Sequence, residues 1–161
     1  DGRWYIVAAS PIEGRTYVFR DPQNAIKRDP NKKPAPVAAL RLEDPMFVSF
    51  STNARFVVVQ SSNQFAVYDS EDIRLLHYDT KLKVAASEEA IWMDGHRLTQ
   101  FSDGKLYVFD FDGSNLQALN SVSQVQRAFF DKDYKALFSI GPSTAAADRP
   151  ALQRTELRAN P

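Results

Sequence analysis

Phe50-Ser51-Thr52-Asn53-Ala54-Arg55-Phe56-Val57-Val58-Val59-Gln60 and Phe130-Asp131-Lys132-Asp133-Tyr134-Lys135-Ala136-Leu137-Phe138-Ser139-Ile140 align without a gap at an offset of 80 residues. Each stretch runs from the end of an apolar segment, Phe47–Phe50 or Ala128–Phe130, through five polar or small residues into a second apolar segment. Midway between them stands a copy one residue shorter: Ala90-Ile91-Trp92-Met93, then Asp94-Gly95-His96-Arg97, then Leu98 to Phe101. The offset of 80 is therefore two periods of 40. Short strands repeating at that period are the arithmetic of four-stranded propeller blades.

A second element recurs out of phase with the first. Tyr17-Val18-Phe19-Arg20-Asp21, Ala66-Val67-Tyr68-Asp69 and Tyr107-Val108-Phe109-Asp110 are apolar runs closed by an aromatic residue with an Asp behind it. A weaker fourth copy is Ala151-Leu152-Gln153-Arg154. The runs are rich in β-branched and aromatic residues and too short for helices, so they read as strands. Asp103-Gly104 between two such runs predicts a tight hairpin, because the turn needs positive φ and Gly accepts it freely; Ser62-Asn63 occupies the same place one unit earlier. The stretch Ala85–Ala90 is the best helix candidate, and it is short.

The fold class expected is all-β: antiparallel four-stranded blades at a period near 40 residues. The blades fall at about 1–45, 46–84, 85–123 and 124–161 of a single propeller-like region. The first lacks its opening strand and the last its closing strand, as in a fragment of a longer protein. A closed ring needs at least four complete blades, so an open array, or an oligomer pairing the free edges, is expected. Inner strands buried on both faces read as continuous apolar runs. This places Val48, Phe50, Val57, Val59, Ile91, Leu98, Val108, Phe129, Leu137 and Phe138 in the core. Phe19, Tyr68 and Phe109 take equivalent third-strand positions. Arg74, Lys81, Lys83, Lys32 and Lys33 are expected in solvent.

Composition bounds the chemistry. Lys plus Arg and Asp plus Glu balance at 20 each, which removes a global field for nucleic acid or anionic membranes. There is no cysteine, so disulfides, thiolate metal sites and a Cys nucleophile are excluded. No apolar run approaches the roughly 20 residues of a membrane helix.

The Phe50-Ser51-x-Asn53 and Phe130-Asp131-x-Asp133 turns resemble the F-S-P-D-G-[KR] turn of WD-repeat and TolB-like β-propellers, where it links the innermost strand to the second. Tyr68-Asp69 and Phe109-Asp110 resemble the W-D position at the end of the third strand. The Gly-His pair of strict WD repeats is absent, and Arg20 stands where the first unit would have Asp. Leu137–Ser143 with Leu152–Thr155 is similar to the end of the propeller regions in bacterial PEGA-domain proteins. That likeness implies an extracytoplasmic domain behind an N-terminal membrane anchor.

Four groups of residues are candidate sites. The Asp-Gly pairs at 94, 103 and 112 have the spacing of a calcium β-roll but lack its glycines, so turn chemistry explains them. Asp110 and Asp112 open like a calcium loop, but Ser121 occupies the place of the closing Glu, leaving a weak metal candidate. His77 and His96 are the only histidines, and no Gly-x-Ser-x-Gly elbow accompanies them. The insertion from Asp21 to Pro36 carries Lys27, Arg28, Lys32 and Lys33 and reads as a long loop. These four cations are the partner-binding candidates, and without interleaved aromatics they do not suit nucleic acid. No catalytic residue, metal or cofactor is expected. The reading is a non-catalytic module that presents loops to a protein or glycan partner. Its alternatives are a propeller-type hydrolase with its active site in other parts of the chain, and a structural spacer.

Overall fold

The computed structural model describes residues 2–85, 88–122, 128–143 and 149–157. The chain divides into two compact units, Asp1–Lys81 and Leu82–Pro161. The first holds β1 (Tyr5–Ser10), β2 (Arg15–Arg20), α1 (Pro22–Arg28), β3 (Ala38–Arg41), β4 (Phe47–Phe50), β5 (Phe56–Ser61), β6 (Gln64–Asp69) and β7 (Arg74–Asp79). The second holds β8 (Ile91–Trp92), β9 (Arg97–Ser102), β10 (Lys105–Asp110), β11 (Gln117–Ser121), β12 (Phe129–Phe130), β13 (Ala136–Pro142) and β14 (Pro150–Glu156). Each unit contains one three-stranded and one four-stranded sheet, and every strand pairs antiparallel with its neighbour in sequence. The fold is all-β, as the repeat requires.

Hydrogen bonds show that the four sheets are copies. The residue after the third-strand equivalent donates its N–H to the carbonyl of the residue before the second. These bonds are Asp21 to Trp4 at 2.7 Å, Ser70 to Arg55 at 2.9 Å, Phe111 to His96 at 2.9 Å and Leu157 to Lys135 at 2.7 Å. The two turns that align at the offset of 80 are equally alike. Ser51 N–H bonds the Phe56 carbonyl at 3.0 Å, as Asp131 N–H bonds that of Ala136 at 3.0 Å. Ser51 Oγ accepts from Phe56 N–H at 3.0 Å, and Asp131 Oδ1 from Ala136 N–H at 3.0 Å. Ala54 and Tyr134 both sit at positive φ, 57° and 55°. A short side-chain acceptor at the first turn position is therefore what the repeat needs there, and both Ser and Asp supply it. The Asp103-Gly104 hairpin has φ of 47° and 76°, both left-handed as expected.

In the first unit one apolar cluster joins the two sheets: Val18, Leu40 and Leu42 against Val57, Val59, Ala66 and Tyr68. In the second, Leu106 and Val122 meet Leu137, with Phe101, Leu119 and Phe130 around them. The strand β5 is buried at all six positions. Phe19, Tyr68 and Phe109 stand opposite Ile6, Val57 and Leu98 in their hairpins, the equivalence expected.

Three expectations need correction, while Arg74 is exposed as expected and pairs with Asp69 at 3.5 Å. Val48, Phe50 and Phe129 are exposed, at 36%, 37% and 65%. They lie on β4 and β12, edge strands that pack one face only, so alternate side chains there meet solvent. Ile91 and Phe138 are only partly buried. In the fourth sheet Glu156, opposite Ala136, matches Asp69 opposite Phe56, so the third-strand end lies two residues beyond Arg154.

One helix lies where the sequence reads as a long loop. Within Ala85–Ala90, residues 86–87 lie outside the described residues and 88–90 are irregular. The insertion forms α1. Pro22 starts it without needing an N–H, Lys27 and Arg28 sit at its negative end, and Asp29-Pro30 stops it.

Candidate functional site

The insertion takes the place of a simple turn. The equivalent connection spans residues 70–73 in the second sheet and 111–116 in the third, but 21–37 in the first. It is clipped where it leaves and where it returns. Asp21 adopts φ 48°, which Asp tolerates, and its Oδ1 accepts from Trp4 N–H at 2.8 Å. Val37 N–H bonds the Val18 carbonyl at 2.7 Å. Between these clips Pro22 is buried and residues 23–33 are exposed. Asp29 Oδ1 caps Asn31 N–H at 3.1 Å. Both carboxylates of the insertion are thus engaged with backbone donors. The side chains of Lys27, Arg28, Lys32 and Lys33 are exposed and make no ion pair among the described residues. The four cations expected to meet a partner are therefore gathered on one fixed, solvated lobe.

A second cluster escaped the sequence reading. The Asp69 carboxylate is fully buried, and Arg55 grips it with Nε and Nη2 at 3.0 and 2.8 Å. Glu71 and Asp72 donate their N–H groups to the same carboxylate at 3.1 and 3.3 Å. Arg55 also reaches the carboxylates of Glu71 at 2.7 Å and Asp72 at 3.1 Å, and its guanidinium lies 4.9 Å from the Phe56 ring centre. Burial by itself would raise the Asp69 pKa. The Arg55 hydrogen bonds, the Asp72 and Glu71 N–H groups and the Arg55 charge outweigh it, so Asp69 is held below the ordinary carboxylate value. Arg74 also pairs with Asp69 at 3.5 Å and Asp72 at 3.6 Å, so two guanidinium groups and three carboxylates form a clamp on the two turns that flank β5 and β6. The hairpin register places residue 55 beside residue 69, and that was the available signal.

The same turns border a cleft of about 530 Å³ lined by Tyr5, Arg20, Asn53, Arg55, Glu71 and Ile73. Asp94 repeats the clamp on a smaller scale. It accepts from the His96 and Arg97 N–H groups, both at 2.7 Å, and from Arg97 Nε at 2.7 Å. Burial raises its pKa, and these bonds more than reverse that.

The remaining candidates are not brought together. Asp110 Oδ2 accepts from Asn115 Nδ2 at 2.6 Å, while Asp112 Oδ1 accepts from Ser114 N–H and Oγ at 3.0 and 2.6 Å. Each carboxylate closes its own turn. His77 lies on β7 opposite Ala66, and His96 lies in a turn with its ring edge-on to Phe111 at 6.4 Å. Among the described residues no three His, Cys, Asp or Glu are placed to hold one metal ion, and no helix is long and apolar enough to cross a membrane.

No protein-family profile and no curated protein matches the sequence. Solved structures do. The chain is similar to the N-terminal domain of Nup159, with TM-score 0.53 and 16% identity over 94% of this chain and 40% of that one. It is similar to a chain of an S. cerevisiae complex of Dbp5 bound to Nup159, Gle1, IP6 and ADP, with TM-score 0.52 and 16% identity over 95% and 41%. For the tricorn protease the values are 0.53 and 14% over 92% and 16%. These neighbours are β-propeller proteins, and the fold of this chain is propeller-like. It spans less than half the length of each of these three structures.

Proposed function

We propose that this chain is a β-propeller-type interaction module that acts by binding a protein with an acidic surface, not by catalysis. The observation that carries the reading is the clipped basic lobe, whose four side chains Lys27, Arg28, Lys32 and Lys33 are solvated and free of carboxylates among the described residues. Long insertions on rigid sheets are where binding residues gather. Cations with no internal partner offer an acidic surface charge complementarity without first breaking a bond. The S. cerevisiae Nup159 complex supports a protein partner in general terms, since that propeller protein is bound to others. The TolB-like and PEGA-associated reading, with an extracytoplasmic setting, is supported by the short motifs at Phe50–Asn53 and Leu137–Ser143 alone.

A test uses a glutamate-rich peptide and a single-stranded oligonucleotide as probes of equal charge. The peptide is expected to bind, and more tightly than the oligonucleotide. Reversing all four cations (Lys27→Glu, Arg28→Glu, Lys32→Glu, Lys33→Glu) weakens it by about tenfold or more, and salt weakens the wild-type complex. Equal binding by the reversed variant, or preference for the oligonucleotide, would overturn the reading.

A further inference from the structure

We propose that Ile73 and Arg20 form the recognition point of the acid-binding surface and take a partner segment in which an aliphatic or aromatic residue stands beside a carboxylate. The proposal rests on the reading of this chain as a module for an acidic protein, and it names the pair of residue types that the partner presents.

The backbone singles out Ile73. Among the described residues eight non-glycine residues sit at positive φ, and Ile73, at 50°, is the only β-branched one; the others are Asp, Asn, Ser, Ala or Tyr. The left-handed region crowds a branched Cβ, so Gly or Asn would fit this position at lower cost. The side chain gains no burial in return, being 70% exposed. The turn around it fixes that conformation. Asp69 accepts from the Glu71 and Asp72 N–H groups, and Arg74, next in sequence to Ile73, pairs with Asp69 and Asp72. An apolar side chain that is strained, exposed and firmly held is placed for contact with a partner, not for the core.

Its position joins it to the basic lobe. The turn 70–73 is the counterpart, in the second sheet, of the insertion 21–37 in the first, and both belong to one compact unit. Ile73 lines the same cleft as Arg20, the last residue of β2 and the root of the lobe. Leu75, 54% exposed, stands opposite Tyr68, and directly opposed residues share one face of a sheet. Tyr68 belongs to the apolar cluster with Val18, Leu40 and Leu42 of the first sheet, so Leu75 lies on the face that the first sheet approaches.

Arg20 supplies the charge. It is exposed and makes no ion pair among the described residues. Arg55, in the same cleft, is already held by Asp69, Glu71 and Asp72. The carboxylates beside Ile73 do not oppose an acidic partner with free charge, since Glu71 is paired with Arg55 and Asp72 with both Arg55 and Arg74. A partner carboxylate can take the Arg20 guanidinium in a two-point hydrogen bond. An apolar side chain next to that carboxylate then covers Ile73. A uniformly acidic segment would use the cations and leave Ile73 in water, so the two residue types together are what the site distinguishes.

The test is fluorescence anisotropy of two labelled peptides of equal charge against the whole chain: a glutamate-rich peptide with a central glycine, and the same peptide with leucine in that place. The leucine peptide is expected to bind about fivefold or more tightly than the glycine peptide. Ile73→Asn suits the left-handed backbone and presents no apolar surface. It is expected to make the two peptides bind alike while raising the thermal midpoint by about 2–4 °C. Arg20→Gln is expected to weaken the leucine peptide by about fivefold or more. The four-cation reversal weakens both peptides and keeps the ratio between them. Failure of the basic-lobe reading therefore shows in the glycine peptide, and failure of this proposal shows in the ratio. No gain from leucine in the wild type, a gain that survives Ile73→Asn, a lowered thermal midpoint in Ile73→Asn, or full leucine-peptide affinity in Arg20→Gln would each overturn the proposal. So would a concentration-dependent dimer that Ile73→Asn dissociates, which would show a second copy seated on the turn.

Discussion

Phe109→Ala is expected to lower the unfolding free energy by about 3–5 kcal/mol, the range for truncating a buried aromatic and leaving a cavity. Phe109 is 2% exposed and stands opposite Leu98, which is 0% exposed, on the neighbouring strand. Its counterpart Tyr68 is 4% exposed. The position is therefore a buried packing site shared by the second and third sheets. Lys33→Ala, on the exposed lobe, changes stability by less than about 0.5 kcal/mol. Urea denaturation of the two variants beside the wild type measures both. An unchanged midpoint for Phe109→Ala would require a different strand register.

Asp69→Ala is expected to cost about 2–4 kcal/mol, because it deletes a buried acceptor that satisfies Arg55 and two backbone N–H groups at once. The Glu71 and Asp72 donors are left facing an apolar methyl group, and Arg55 loses the anchor that holds it across the turn. The same clamp makes stability depend on pH. Asp69 and Asp94 are both held below the ordinary carboxylate value of 3.8, so at low pH the unfolded chain binds protons that the folded chain refuses. Their contribution is complete well above the unfolded value. It is lost as pH falls through that value toward the depressed folded ones. Denaturation midpoints measured from about pH 6 to about pH 3 are expected to fall steeply at the acid end for the wild type and less steeply for Asp69→Asn. Parallel curves would show that the clamp does not hold its charge.

The sequence by itself determined the repeat, the strand order within each unit and the turn chemistry. These are local: an acceptor at Ser51 or Asp131 closes a turn with the residue five positions on, and Asp103-Gly104 supplies the φ that its hairpin needs. The basic lobe could be read the same way, since Lys27, Arg28, Lys32 and Lys33 interrupt an otherwise regular pattern. Only the tertiary structure decided the rest. Val48, Phe50 and Phe129 are as apolar as any core residue, yet they are exposed because burial depends on which face of an edge strand has a neighbour. The helix at Pro22–Arg28 lies in a segment that reads as a loop, because Pro22 starts it and the insertion is clipped at both ends. Arg55 and Asp69 are 14 residues apart and unremarkable singly; hairpin register makes them a buried pair.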